Sequence, residues 1–254
     1  MKFQRQLGPV IGIAQWADLM QSAEMLTFMP SESRKQVPGS WISGAVDTAD
    51  RTNFDDVRAV LLMLMLLFTF ARSESPLPKT KDGKENFDPE KQLCLSDVRI
   101  KLVADKTTAQ FRLKGIKQDT LGQRAAAQGE GDWVIVAGTG DTDRFDITMW
   151  LQLYFSFFSN TRPDDEPLFV DAPGDATPWI DSAALTACRE LWARTPGVTT
   201  AEANTCGLHG LRVSGNVGVT RELGKEIAKA QGGWGVRGSE SLPSSGLRSG
   251  GSDT

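Results

Sequence analysis

Residues 53–72 read NFDDVRAVLLMLMLLFTFAR, and the apolar run at 59–68 is the longest in the chain. Asn53 can cap a helix, and Asp55 and Asp56 would lie in its first turn, where the helix dipole favours negative charge. We therefore predict a helix from residue 53 to about Ser73 or Glu74, since it must stop before Pro76. Apolar residues surround most of it, which predicts a helix at the centre of the fold. The run is far shorter than the roughly 20 residues that span a bilayer.

After this helix the chain shows strand-like patterns first and helix-like patterns later. Three short segments with strand composition follow it, separated by polar turns and glycines: LCLSDVRIKLV at 93–103, AQFRLKGIKQD at 109–119 and DWVIVAG at 132–138. Helical patterns return with ITMWLQLYFSFFSN at 147–160, DSAALTACRELWAR at 181–194 with Asp181 as its cap, a helix starting near Leu208, and a further helix over RELGKEIAKA at 221–230. The fold class predicted is α+β, mainly helical with a small antiparallel sheet.

The two ends of the chain differ from this middle part. Residues 1–52 contain scattered helix signals, such as IAQWADLMQSAEMLTFM at 13–29, but are too few for a full domain. Residues 235–254 are rich in glycine and serine, which predicts a disordered tail. The predicted organisation is thus a partial helical segment at 1–52, one domain at 53–234 and the tail.

The formal net charge of −4 argues weakly against a nucleic-acid binder, but the charge is uneven. Residues 72–124 contain twelve Lys and Arg against eight Asp and Glu. Contacts to phosphates require a locally basic surface and not a basic net charge. This stretch could therefore bind DNA, or it could be a solvated loop and hairpin. The three cysteines, Cys94, Cys188 and Cys206, have no zinc-type spacing and predict a reduced, intracellular protein without a disulfide framework.

Residues that could carry chemistry are few and widely separated. The only histidine, His209, precedes Arg212 by three positions in GLHGLRVSG, so a helix would place both on one face. Arg72 is predicted to lie at the C-terminal tip of the apolar helix, and Trp234 ends the sequence AQGGW. Taken singly, a chance His-x-x-Arg and an arginine at a helix C-terminus explain these residues well.

The order of these features resembles the tyrosine recombinases, the family of phage-type integrases. FTFARSESPLPKT followed by NFDPEK is similar to the first-arginine region of recombinases from DIRS-type retroelements. LKGIKQD resembles the hairpin that holds the family's lysine, and PLFVDAPGDATPWIDSAALTACRELWAR resembles the linker and helix before its second box. HGLRVSGN and KAQGGW resemble that box and its continuation. The resemblance covers residues 53–234.

The resemblance implies a role for each matching position. Arg72 and Arg212 would hold the scissile phosphate, because guanidinium forks match phosphate oxygens and stabilise the charge of the transition state. His209 would hydrogen-bond the phosphate or assist proton transfer. Lys117 would be the general acid for the departing 5′ oxygen, with Lys114 as its close rival. Trp234 would donate its indole N–H or pack against the helix of the nucleophile.

The chain departs from the family at two positions. Glu74 lies two residues after Arg72, whereas the family has its acidic residue three after. The family's nucleophilic tyrosine would fall near Pro243, but the only tyrosine of the chain is Tyr154, inside the apolar LQLYFSFF. For Tyr154 we predict core packing with a satisfied hydroxyl. Ser239 and Ser241 lie near the expected position, and nothing around them indicates an activated serine.

These observations predict a DNA-binding, tyrosine-recombinase-like protein, implied to act in site-specific DNA recombination or integration and to derive from a mobile element, without the nucleophilic tyrosine. The alternatives are a non-catalytic DNA-binding or regulatory protein and a degenerate fragment without function. The implied partner is double-stranded DNA, with a homo-oligomer on that DNA left open, and the implied compartment of a eukaryotic element is the nucleus. No metal, nucleotide cofactor or membrane is implied. The hypothesis requires Arg72 and Arg212 to converge on one surface.

Overall fold

The computed structural model describes residues 35–81, 84–85, 87–103, 106–114, 133–138, 143–159 and 161–223. In chain order its helices are α1 (Gly39–Thr48), α2 (Phe54–Thr69), α3 (Ile147–Ser156), α4 (Asp181–Arg194), α5 (Thr200–Ala203) and α6 (Leu208–Leu223). Its strands are β1 (Thr80–Lys81), β2 (Lys84–Glu85), β3 (Val98–Val103), β4 (Lys106–Arg112) and β5 (Trp133–Ala137). The predictions for residues 1–34 and 224–254, including Trp234 and the tail, and for Lys117 concern residues outside the described ones.

The long apolar helix α2 lies at the centre of the fold, as its composition predicts. The Asn53 side chain accepts hydrogen bonds from the backbone N–H groups of Asp55, at 2.9 Å, and Asp56, at 3.2 Å. Every residue from Asp56 to Thr69 is buried. Helices α3, α4 and α6 pack around it. The prediction of a capped helix at the centre of the core is therefore confirmed.

The end of α2 differs from the sequence prediction, which placed it near Ser73 or Glu74. The helix ends at Thr69, because Phe70 takes a left-handed conformation with φ 53° that turns the chain away from the helix axis. The Thr69 hydroxyl donates to the carbonyl of Met65 at 2.7 Å and accepts from the N–H of Ala71 at 3.2 Å. The Thr69 hydroxyl thus satisfies the N–H of Ala71, which a further helical turn would have bonded to a backbone carbonyl.

Strands β3, β4 and β5 form a three-stranded antiparallel sheet in that order. Ile100 pairs with Ala109, and Ala109 with Val136. This row belongs to the face that packs on the core, where Ala109 and Phe111 are fully buried. The chain thus has an α+β fold with a small antiparallel sheet, as predicted from its strand-like segments.

Two later helices begin or end differently from the sequence prediction. The cap of α4 is Ile180, and Asp181 stands in the first turn with its N–H bonded to the carbonyl of Pro78 at 3.1 Å. The helix that starts at Leu208 runs without interruption to Leu223, so the separate helix predicted from Arg221 is wrong at its start. Helix α6 continues as one helix because it packs along α2, and glycine in α6 lets the two helices come close.

Helix α1 belongs to the same hydrophobic core as α2. Val37, Ile42 and Ala45 are fully buried and lie in the core cluster that contains the α2 side chains. The Thr195 methyl after α4 would lie 2.2 Å from a Cβ at Gly44, so only glycine allows this close approach of α1. The predicted boundary at residue 52 therefore falls within a continuous core.

Candidate functional site

Arg72 stands just beyond the C-terminal end of α2, in a turn with a defined backbone. Its carbonyl accepts a hydrogen bond from the N–H of Ser75 at 2.9 Å, and the Ser73 carbonyl accepts one from Leu77 at 3.0 Å. Ala71 and Leu77, on either side of this turn, are buried, whereas Arg72 is exposed. The local sequence thus anchors the backbone of Arg72 on apolar neighbours and presents its side chain at the surface.

Helix α6 brings Arg212 to the same end of α2 through a glycine contact. A Cβ on Gly215 would lie 2.0 Å from the carbonyl oxygen of Leu67 and 2.7 Å from the ring of Phe70. Real Cβ atoms do not approach backbone so closely, so α6 can rest against the last turn of α2 only because residue 215 is glycine. Arg212 lies one turn before this contact on α6 and is half-buried.

The two arginines are close enough for their charges to interact. Burial lowers the pKa of Arg212 most, and the positive charge of Arg72 lowers this pKa further. An arginine stays protonated despite such a shift, since its ordinary pKa is above about 12. The structure therefore brings together two positive guanidinium groups that lie far apart in the sequence. An anion that accepts hydrogen bonds from both guanidinium groups would offset their repulsion.

His209 joins this region from the first turn of α6. It precedes Arg212 by three residues on one helix, so the two side chains are neighbours on its surface. His209 is exposed, and the glycine after it lets α6 approach the N-terminal part of the chain, because a Cβ at Gly210 would lie 2.5 Å from the carbonyl oxygen of Lys35. The structure thus shows a charge interaction between Arg72 and Arg212, and it places His209 one helical turn before Arg212 on α6.

Lys114, the rival candidate for the general acid, is bound by other groups of the chain. Its ammonium forms an ion pair with Asp97 and donates to the carbonyl of Pro89 at 2.7 Å. It also lies 3.6 Å from the Cys94 sulfur. Lys114 therefore contributes to the structure at the base of the segment that continues towards Lys117.

Asp97, the ion-pair partner of Lys114, is a residue that the sequence analysis did not identify. It is fully buried, accepts from Arg112 Nε at 2.6 Å and accepts from the N–H of Cys94 at 2.9 Å. One carboxylate thus holds two cations and one backbone donor, which offsets the cost of burying its charge. The available signal was an aspartate directly before one strand and, in the neighbouring strand, a terminal arginine that is followed two residues later by a lysine.

Glu74 forms an ion pair with Lys79 at 2.5 Å, and both side chains are exposed. Lys79 lies in the same turn-rich segment as Glu74, and this pair raises the pKa of Lys79, chiefly through the hydrogen bond to Glu74. An exposed pair of this kind contributes little to stability.

Tyr154 is a core residue, as predicted. Its side chain is fully buried, and its hydroxyl donates to the Leu168 carbonyl at 2.8 Å and accepts from the N–H of Val170 at 3.3 Å. Burial raises the pKa of Tyr154 to about 12. A phenol that is buried, neutral and doubly hydrogen-bonded is unsuited to attack a phosphate. All three cysteines are buried free thiols, which confirms that they form no disulfide framework.

Comparisons with protein-family models, with curated proteins and with solved structures find no match for this chain. Among the helices of the described segments, none has the length and apolar character needed to cross a membrane.

Proposed function

We propose that this chain binds double-stranded DNA as a tyrosine-recombinase-like protein, descended from the integrase of a mobile element, and that Arg72 and Arg212 together hold one DNA phosphate. The observation that carries the proposal is the proximity of these two arginines at the crossing of α2 and α6. The resemblance described above requires this convergence, and residues so far apart in sequence have no local reason to meet.

The chemistry of the two groups favours a phosphate as the ligand. Guanidinium groups bind phosphate oxygens through paired N–H donors, and two of them can engage different oxygens of one phosphodiester. Burial around Arg212 strengthens such a contact because less water competes for the charge. His209, on the same helix, would add a donor at the edge of this site.

The proposal assigns the DNA-contacting lysine to Lys117. Asp97 and the Pro89 carbonyl already bind the ammonium of Lys114, so its removal would disturb the fold and not a DNA contact. Lys117→Ala should therefore weaken DNA binding while it leaves the unfolding midpoint unchanged. Lys114→Ala should lower the unfolding midpoint, and the reverse pattern would contradict the assignment.

We call Arg72 and Arg212 together the clamp. Binding of a labelled duplex, measured by fluorescence anisotropy over a range of salt concentrations, tests whether the clamp holds a phosphate. We expect Arg72→Ala and Arg212→Ala each to weaken binding by about tenfold near 0.1 M salt and to reduce the salt slope by about 0.9, as loss of one phosphate contact predicts. The matched control is Arg51→Ala, which removes one exposed arginine at the other end of α2, about 24 Å away. Affinity that is insensitive to both variants and to salt would refute the clamp.

A second candidate function, a DNA-binding or regulatory protein without catalysis, is favoured by the environment of Tyr154. Its hydroxyl is buried and bonded within the core, so this chain offers no accessible tyrosine. We expect no covalent protein–DNA adduct on a nicked suicide substrate, as judged by denaturing electrophoresis. Tyr154→Phe should behave identically in that assay. An adduct that maps to any residue of the chain would show that cleavage survives.

A further inference from the structure

All four basic residues of the three-stranded sheet lie on one face. Side chains alternate between the two faces of a strand, and directly paired residues share a face. Arg99 pairs with Gln110, and Lys101 with Thr108. Arg112 pairs with Trp133, and Val103 with Lys106. The register therefore places Arg99, Lys101, Lys106 and Arg112 together on the face opposite Ala109 and Phe111, which face the core.

All the charged residues on this basic face are positive, and this uniform sign indicates what kind of ligand the face would bind. A solvated face of an antiparallel sheet normally mixes both signs. Strands β3, β4 and β5 contain four cations and no carboxylate, although the whole chain has 32 acidic and 28 basic residues. Lys101 and Lys106 are exposed, Arg99 and Arg112 are half-buried, and Thr108 and Gln110 beneath these long side chains are buried. A surface of one sign favours a ligand of the opposite sign with repeated charges.

One arginine of the basic face is held in place by contacts that leave much of its charge available. The Arg99 guanidinium carbon lies 3.7 Å from the centre of the Trp133 ring, and Arg99 Nε donates to Gln110 Oε1 at 2.8 Å. These contacts use the plane and one nitrogen of the guanidinium. A guanidinium ordered in this way loses less entropy when it binds a phosphate.

The basic face is connected to the turn that carries Arg72. The Ser75 carbonyl accepts from the N–H of Leu93 at 2.8 Å. The next residue, Cys94, donates its N–H to Asp97, and Asp97 holds Arg112 at 2.6 Å. This chain of hydrogen bonds leads from the turn after Arg72 to the Arg112 end of the face. From there the face extends over the seven residues of β4, about 20 Å.

We propose that the basic face binds the sugar–phosphate backbone of duplex DNA next to the phosphate held by Arg72 and Arg212. This inference rests on the function proposed above. A length of about 20 Å covers more than half of a duplex turn of about 34 Å. The contacts are to phosphates, so the face adds affinity and orients the duplex without reading its sequence.

The test moves one charge across the sheet. Lys101→Gln removes a cation from the basic face, and the double variant Lys101→Gln/Leu102→Lys restores the net charge on the opposite face of the same strand. Leu102 is 72% exposed, so a lysine is tolerated there. In duplex binding by anisotropy we expect Lys101→Gln and Lys106→Gln each to weaken binding about eightfold near 0.1 M salt and to lower the salt slope by about 0.9. The charge-swapped variant should bind as weakly as Lys101→Gln.

Other outcomes would overturn the inference in distinguishable ways. Full recovery by the charge-swapped variant would show that only net charge matters. Sheet variants that bind like wild type, while Arg72→Ala binds weakly, would remove the basic face and leave the proposed function intact. Weakening by the sheet variants alone, with Arg72→Ala and Arg212→Ala binding like wild type, would refute the phosphate site of these arginines and with it the placement of the basic face next to that phosphate. Tighter, Lys101-dependent binding of single-stranded RNA would overturn duplex DNA as the occupant. Unchanged unfolding midpoints show that each variant is folded.

Discussion

Phe70 shows how a single residue shapes the candidate site. A positive φ is unfavourable for an aromatic side chain and costs about 1–3 kcal/mol, so surrounding structure must enforce it. The ring is 2% exposed and lies beside Gly215 of α6, which provides this enforcement. Because of this conformation the chain turns sharply at the end of α2, and Arg72 lies in the turn near Arg212. Strain of this kind two residues before a charged side chain is typical of functional sites.

Tyr154 gives a pH prediction at the level of one residue. Because its folded pKa is raised to about 12 from an unfolded value of about 10, its contribution to stability is complete below about pH 10 and is lost as the pH rises towards 12. The loss should amount to about 2–3 kcal/mol of the free energy of unfolding. As the chain has one tyrosine, near-ultraviolet absorption of the phenolate reports it alone.

The control for this titration is Tyr154→Phe. This variant should be less stable at neutral pH by about 1 kcal/mol, since the hydrogen bond to the Leu168 carbonyl is lost, and should show a smaller decrease in stability at alkaline pH. Ionisation of Tyr154 near pH 10 in the folded protein would contradict the buried, doubly bonded environment.

At the scale of elements, the contact between α2 and α6 determines whether the arginines meet. Gly215→Ala would place a Cβ 2.0 Å from a backbone oxygen, and backbone yields only if the helix shifts. We expect a loss of about 1–3 kcal/mol in the free energy of unfolding, by urea denaturation, and weaker duplex binding as Arg212 moves away from Arg72.

Gly207→Ala is the matched control, because nothing lies within 4 Å of a Cβ at that position, directly before α6. Its stability should change by no more than about 0.5 kcal/mol. Equal losses at the two positions would mean that the close approach of α6 to Leu67 is not the cause. Helix propensity cannot explain a loss at Gly215, because alanine favours a helix interior more than glycine does.

At the scale of the whole molecule, residues 35–52 share one core with α2 and α6. Ile42→Ala on α1 should therefore lower the stability of the entire unit, by about 2–5 kcal/mol, in a single transition. Circular dichroism and tryptophan fluorescence should give coincident urea curves. Ser40→Ala, at an exposed position of the same helix, should leave the midpoint unchanged.

Separate transitions for α1 and for the remaining helices would show that residues 35–52 fold apart from α2. A broad, uncooperative transition in the unchanged chain would favour the degenerate fragment among the alternatives, because a protein that retains function keeps a specifically packed core.

Local chemistry was enough to predict much of the fold. The cap at Asn53, the apolar run of α2, the strand segments and the buried role of Tyr154 follow from signals within a few residues of each position. The end of α2 was predicted too late, because the left-handed Phe70 depends on Gly215, a residue of another helix. The cap of α4 was predicted one residue too late for a similar reason, since Asp181 bonds to Pro78 from a distant loop.

The order of Arg72, His209 and Arg212 is a property of the chain, and it was sufficient to mark them as candidates. Whether the charges of Arg72 and Arg212 interact was decided by the packing of α6 on α2, which depends on a glycine far from Arg72 in sequence. In the same way, the sequence contains the four cations of the sheet, but only the register of the strands shows that they share one face. The cap at Asn53 and the burial pattern of α2 depend on residues within a turn or two, whereas the end of α2 and the proximity of charges depend on contacts between distant segments.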